Sequence, residues 1–239
     1  MIDVIMKPIY SAFSRTSRRH HTMPTDHLPD ALLLITAGCA HCPVSLDALT
    51  RLVKEAAIGR LEIVNVAAHP EYAEQRGVRS VPWTQIGEFE LEGALNLEEM
   101  RHWAQLARTP KGMATYFEHL LGSGQLQRCV HMIKQQPARF DALLDLLANP
   151  DTALDVRIGV SAAFEYLHDS SLPDSIVQRL GTLTTHDNAA VRADACHALS
   201  FSSLSAAQPY LEICRHDSAT EVREIAAESL ATLSLTHRG

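Results

Sequence analysis

The sequence has no surplus of positive charge. Its 21 Lys and Arg stand against 28 Asp and Glu, a formal net charge of −7, so it lacks the electrostatic grip that phosphate backbones and anionic lipid surfaces require. Aromatic residues are scarce, 5% of the chain, and no basic stripe interleaves with them, so nucleic acid is not expected as a partner. Long apolar runs are missing too. The longest lies near Ala31 to Ala37, far short of the ~20 residues that a spanning helix needs, and no membrane partner is expected. The opening stretch MIDVIMKPIYSAFSRTSRRHHTMPTDHLPD is rich in Arg and Ser, but its apolar part is too short and broken for a secretory signal. Residues 1–28 read as a flexible leader, or as a start placed too early, with Met23 just upstream of the first convincing strand. Without an export signal the protein is expected in the cytoplasm. Its five cysteines, an odd number, then imply mostly free thiols and not a disulfide framework. The 13 histidines are scattered without ligand spacing, and neither a metal nor a cofactor is expected.

With 239 residues, 46% of them hydrophobic and 21% charged, the chain can bury one large core or two modest ones. Its character changes near residue 109. Before that point strands and helices alternate. ALLLIT (31–36) suits a buried strand. Between about Ala40 and Ala57, Leu46, Leu49, Leu52, Val53 and Ala56 recur at helical spacing, with Gly59 as the stop. LEIVNV (61–66) is β-branched and reads as a second strand, and HPEYAEQRG (69–77) as a short polar helix. VRSVPWTQI and FELEG, around a turn at Gly87–Glu88, read as a hairpin. A last helix runs from about Leu97 to Ala107, where Asn96 and Glu99 have capping-box spacing. The order is β-α-β-α-β-β-α over residues 29–108, and the helical crossover makes the first two strands parallel.

After RTPKG (108–112), which is linker-like, strand signals vanish and a repeat begins. DTALDVRIGVSAAFEYL, DNAAVRADACHALSF and DSATEVREIAAESLATL start at 151, 187 and 217. Aligning Val156-Arg157, Val191-Arg192 and Val222-Arg223 gives steps of 35 and 31 residues. Four positions on stand Val160, Ala195 and Ala226; eight on stand Phe164, Leu199 and Leu230. That is one buried helical face three times over, each preceded by a partner helix. Such units cannot bury their faces alone and must stack as a solenoid. The pattern resembles HEAT repeats over roughly 140–235, with steps shorter than the ~40–47 residues usual for that class. Residues 109–136 are accordingly expected as a linker and capping helices, and 137–239 as HEAT-like repeats that bind a protein partner. The recurring Asp is expected to cap its helix and the Arg to contact the Asp ladder of neighbouring repeats.

GCAHCP (38–43) carries the chemistry. At the mouth of a helix behind a buried strand, Cys39 faces unpaired backbone N–H groups and the positive end of the helix dipole. Those groups favour thiolate, and in Cys-X-X-Cys settings the thiol pKa falls from ~8.5 toward ~3.5–7.5. Cys42, one turn on, is close enough for a disulfide and more shielded. Cys39 is therefore the expected nucleophile and Cys42 the resolving thiol, with Pro43 in the first turn where its missing N–H costs nothing. Two other readings stand beside this one. A zinc site needs four ligands, and only Cys39, Cys42 and His41 are local; alternatively, the two thiols are simply buried and inert. Cys129, Cys196 and Cys214 fall in amphipathic helices and read as small core residues.

Joined to the strand order and to a proline downstream, this motif makes residues 31–107 resemble a thioredoxin-like or glutaredoxin-like domain. The chain then reads as an α/β thioredoxin-like domain followed by an all-α HEAT-like solenoid. In GVRSVPW (77–83) the resemblance implies a cis Val81–Pro82 peptide facing the disulfide, with the Val81 backbone pairing with an extended substrate segment. Trp83 either flanks that groove or packs in the core. The implied activity is that of a protein thiol-disulfide oxidoreductase, with Cys39 and Cys42 catalytic and proteins bearing thiols or disulfides as substrates. This chain departs from the family at Gly38, where Trp is usual, at Ala40-His41 in place of Gly-Pro, and in lacking a buried acid on the first strand. His41 resembles the Xaa-His dipeptide of disulfide-forming members. A cationic His41 stabilises the reduced thiolate and makes the disulfide more oxidising, so Ala40 and His41 are expected to tune the potential. The alternative function is a redox-sensing or redox-inactive scaffold in which the helical array does the work.

Overall fold

A computed structural model describes residues 28–167 and 172–236. The leader expected over 1–28 lies outside the described residues except for Leu28. β1 (Ala31–Ile35) is apolar throughout because both of its faces are covered. Leu33 enters one core with Leu49, Leu52, Ile86 and Met100, while Leu32 and Leu34 enter a second with Val64 and Trp83. The strand is central in a sheet of order β2-β1-β3-β4. β2 (Leu61–Asn65) runs parallel to it, β3 (Trp83–Ile86) antiparallel, and β4 (Phe89–Glu92) closes the hairpin through Gly87–Glu88. With α1 (Cys42–Lys54), α2 (Glu71–Glu74) and α3 (Leu97–Leu106) the expected β-α-β-α-β-β-α order is complete. α3 begins at the expected capping box. Asn96 Oδ1 accepts from the Glu98 and Glu99 N–H groups at 2.9 and 3.1 Å, and Glu99 Oε2 accepts from the Asn96 N–H at 2.7 Å.

α1 ends at Lys54, short of the stop read at Gly59. Ala57 N–H donates to Leu52 O at 2.9 Å and Ala56 N–H to Val53 O at 3.1 Å, the two bonds of a Schellman cap. The left-handed residue this cap requires is Ala56, at φ 53°. A Cβ there is disfavoured, which glycine avoids. Ala56→Gly is expected to raise the unfolding free energy by about 0.5–1 kcal/mol, read as a higher urea midpoint at unchanged slope.

The remaining chain is helical: α4 (Gly112–Gly122), α5 (Leu126–Gln135), a 3₁₀ turn (Pro137–Arg139), α6 (Phe140–Ala148), α7 (Leu154–Leu167), α8 (Asp174–Leu183), α9 (Ala189–Leu199), α10 (Leu204–Cys214) and α11 (Thr220–Thr236). No helix among the described residues is long and apolar enough to cross a membrane. Val156, Val160 and Phe164, then Val191, Ala195 and Leu199, then Val222 and Ala226 are buried, with Leu230 packed against them. The thrice-repeated face is therefore real. The expected Arg–Asp ladder forms at one step: Arg192 grips Asp217 of the next repeat with two bonds of 2.8 and 2.9 Å, whereas Arg157 pairs with Asp194 within α9 and not with the recurring Asp187. The expected Asp caps are corrected. α9 is capped by Asn188, whose Oδ1 accepts from Ala190 and Val191 N–H, because it stands one residue nearer the first turn than Asp187.

The segment read as linker-like is no free tether. One hydrophobic core runs from the sheet through α4 into the repeats. Tyr116 of α4 is fully buried against Phe89 and Trp103, with ring centroids 4.8 and 5.8 Å away. Its hydroxyl donates to Glu90 O at 2.9 Å and accepts from Glu90 N–H at 3.0 Å, closing part of the open edge of β4. Arg128 of α5 pairs with Glu90, and Arg139 with Glu88 at 3.1 Å. Burial pushes the Tyr116 phenol up from 10.0 to about 12. A raised folded pKa means the phenol's contribution is whole below pH 10 and lost as pH rises through about 12. Tyr116→Phe leaves Glu90 N–H and C=O without this partner. It is expected to cost about 1–3 kcal/mol at neutral pH, and to flatten the fall of stability at alkaline pH in denaturation curves.

Candidate active site

β1 delivers the chain into a turn, Thr36–Ala40, that ends at the N-terminus of α1. Cys39 N–H donates to Thr36 O at 3.3 Å, which turns the chain so that Cys39 sits half-buried at the helix mouth. His41 is the N-cap residue and Cys42 and Pro43 open the helix, so Pro43 stands in the first turn as expected. Cys42 is 5% exposed. The two cysteines are joined in a disulfide, with Cα atoms 5.5 Å apart. Cys42 N–H points at Cys39 Sγ, 3.1 Å away, the backbone donor that the helix N-terminus was expected to supply.

Across from the pair lies the loop before β3. The Val81–Pro82 peptide is cis, and Val81 O is 3.6 Å from Cys39 Sγ. Sequence positions 39 and 81 thus meet in space. Trp83 does not line the mouth: at 2% exposed it packs with Leu32, Leu34 and Val64, so of the two readings the core one holds and its place among the substrate-binding residues is corrected. Alternation along β3 is the reason, since Trp83 and Thr84 point to opposite faces of a covered sheet. Ala40 and His41 are exposed beside the disulfide, as are Pro43 and Val44, the latter 50% exposed. This rim is small and largely apolar. A cleft of about 620 Å³ between the hairpin and α5, lined by Arg76, Gln85, Arg128 and Arg139 among others, includes neither cysteine. Cys39 is thus half-buried outside that cleft and beside the exposed Ala40 and His41, with Cys42 buried behind it.

The remaining cysteines, Cys129, Cys196 and Cys214, are free and buried, and burial pushes the Cys129 thiol up to about 12. No group of three or more His, Cys, Asp or Glu side chains that could hold a metal ion occurs among the described residues. Two polar groups near the centre escaped the sequence reading. Ser45 Oγ, one turn beyond Cys42, and Thr84 Oγ1, two residues beyond Pro82, are fully buried and have no hydrogen-bond partner among the described residues. The available signal was a serine on the helix face that carries Ala48, Leu49 and Leu52 to the core.

A four-stranded mixed sheet, a disulfide at the first helix mouth and a cis-proline loop against it define a thioredoxin-like dithiol–disulfide domain. Comparison with known families agrees: residues 31–105 match the thioredoxin domain and residues 136–231 match HEAT repeats. The chain joins a thioredoxin-like domain to HEAT-like repeats. No curated protein matches it.

Proposed function

We propose that the protein is a thiol-disulfide oxidoreductase acting on protein substrates through Cys39 and Cys42, with the helical repeats as the surface that binds its partners. One observation carries this reading: Cys39 is the reachable sulfur, with the Cys42 N–H 3.1 Å from it and Val81 O 3.6 Å away on the other side. In the reduced protein that N–H favours the Cys39 thiolate. The thiolate attacks a substrate disulfide, forming a mixed disulfide at Cys39 and releasing one substrate thiolate. Cys42 then attacks Cys39 Sγ, the second substrate sulfur leaves, and the Cys39–Cys42 bond closes. The Val81 backbone, beside Pro82 and 3.6 Å from Cys39 Sγ, is assigned to pairing with an extended substrate segment. Three unpaired buried thiols fit a reducing, cytoplasmic setting.

Insulin reduction by the full-length protein tests the reading. Turnover with cycling of the Cys39–Cys42 pair supports it, and no turnover favours the redox-inactive scaffold. His41, exposed beside the pair, is assigned to raising the potential. Titration in glutathione buffers should place the couple above thioredoxin's value of about −270 mV, and His41→Ala should lower it by about 30 mV. A wild-type value at or below thioredoxin's removes that role from His41.

A further inference from the structure

The chain that leads to the cis peptide also borders the cleft of about 620 Å³. Gly77 and Val78 line that cleft, and a few residues on Val81 O stands 3.6 Å from Cys39 Sγ. Pro82 O accepts from Gly93 N–H at 3.0 Å, which ties the outgoing end of β4 to the same loop. One wall of the cleft is the sheet face on which Gln85 stands opposite Glu90, and the other is α5 with Arg128 and Gln135. The charges of this cleft are not all matched. Glu90 and Glu92 share Arg128, and Glu88 pairs with Arg139 at 3.1 Å. Arg76 is the cleft cation with no carboxylate partner among the described residues. It is nevertheless fixed in place: Nη1 donates to Tyr72 O at 3.1 Å, and the guanidinium lies 5.5 Å from the Tyr72 ring centroid. Its Nε and Nη2 are left for an anion. Arg79, three residues on and exposed, makes no ion pair among the described residues either. Two unmatched guanidinium groups thus flank the approach to Cys39, in a chain whose net charge is −7.

We propose that an acidic, extended segment flanking the substrate's disulfide runs from Val81 past Arg79 into this cleft, where a carboxylate takes the open edge of Arg76. The inference rests on the exchange reaction proposed for Cys39 and names the protein substrates that reaction prefers. Five residues separate Val81 from Arg76, at most about 18 Å of extended chain. The acidic residues therefore fall within about six positions of the substrate cysteine. The carboxamides of Gln75, Gln85 and Gln135 also line the cleft, and each carries both a donor and an acceptor, which suits a peptide backbone. Because α5 forms one wall, the helical array and the sheet hold the segment together.

The test mixes prereduced full-length protein with excess cyclic disulfide peptides that differ only in a short run of Glu, Gln or Lys on one side of the ring. Oxidation of the Cys39–Cys42 pair, which leaves a peptide dithiol, is followed by alkylation and mass. The Glu peptide should react about fivefold to tenfold faster than the Gln peptide, the scale of two partly exposed ion pairs, and the Lys peptide slowest. Salt at about 0.5 M should erase most of that difference. Moving the Glu run to the other side of the ring should remove most of its advantage. Arg79→Glu alone should weaken the preference, and Arg76→Glu/Arg79→Glu should reverse it in favour of Lys, which misfolding would not do. The proposal is overturned if Glu and Gln peptides react equally with the wild-type protein. It is equally overturned if both sides of the ring give the same advantage, or if the order survives in the double variant. Hydroxyethyl disulfide separates the two readings. If it oxidises the pair while the Glu run brings no advantage, the present inference alone falls. If it and every peptide leave the pair reduced, the exchange reaction of Cys39 falls and this inference with it.

Discussion

Cys39→Ser is expected to lower disulfide-exchange activity at least about a thousandfold, the scale of losing a nucleophile that nothing else replaces. Cys42 cannot take over. At 5% exposed it lies behind Cys39 and inside the first turn of α1, out of reach of a protein disulfide. Cys39 has the opposite setting, half-buried at the helix mouth and facing the Val81 carbonyl. Cys42→Ser should therefore behave differently. It keeps the attacking sulfur and loses the resolving one, so mixed disulfides through Cys39 accumulate in place of turnover. Insulin reduction with excess chemical reductant reads the first effect, and non-reducing gels with a disulfide-bearing protein read the second. Trapping through Cys42 in the Cys39→Ser protein would reverse the roles.

Gly112→Ala is expected to destabilise the protein by about 3 kcal/mol, the upper range for overpacking a site that cannot relax. Gly112 opens α4 where it leaves α3, and a Cβ there would stand 2.0 Å from Leu106 O and 3.2 Å from Phe89 Cζ. The first of these is backbone, so a side-chain shift offers no relief. α4 must back away from α3, and Tyr116 then loses its place between Phe89 and Trp103 and its bonds to Glu90. The cost therefore falls on the joint between sheet and repeats. Gly122→Ala is the control. Its Cβ meets only Val156 Cγ2 at 3.8 Å, an ordinary contact, and the change should be neutral or mildly stabilising. Equilibrium denaturation of both variants checks the pair, and equal stability would remove the steric account of Gly112.

Much of this architecture was legible in local patterns. The continuous apolar run of β1, the β-branched β2 and the Gly87–Glu88 turn each name an element, because burial on two faces, strand propensity and turn chemistry act over a few residues. The Val-Arg repeat named the solenoid in the same way. Local signals failed where two close candidates competed, as with Asp187 against Asn188 for the cap of α9, or Gly59 against Ala56 for the end of α1.

The sequence by itself determined the two kinds of domain, their order, and the closeness of Cys39 and Cys42 at the mouth of α1, since spacing along a helix and behind a strand is a property of neighbours in the chain. Only the tertiary structure decided what distant segments do to one another. It set Val81 against Cys39 and sank Trp83 into the sheet. It also welded α4 to the edge of β4 through Tyr116. These contacts depend on how faces pack across the fold, and no local periodicity records which buried face meets which.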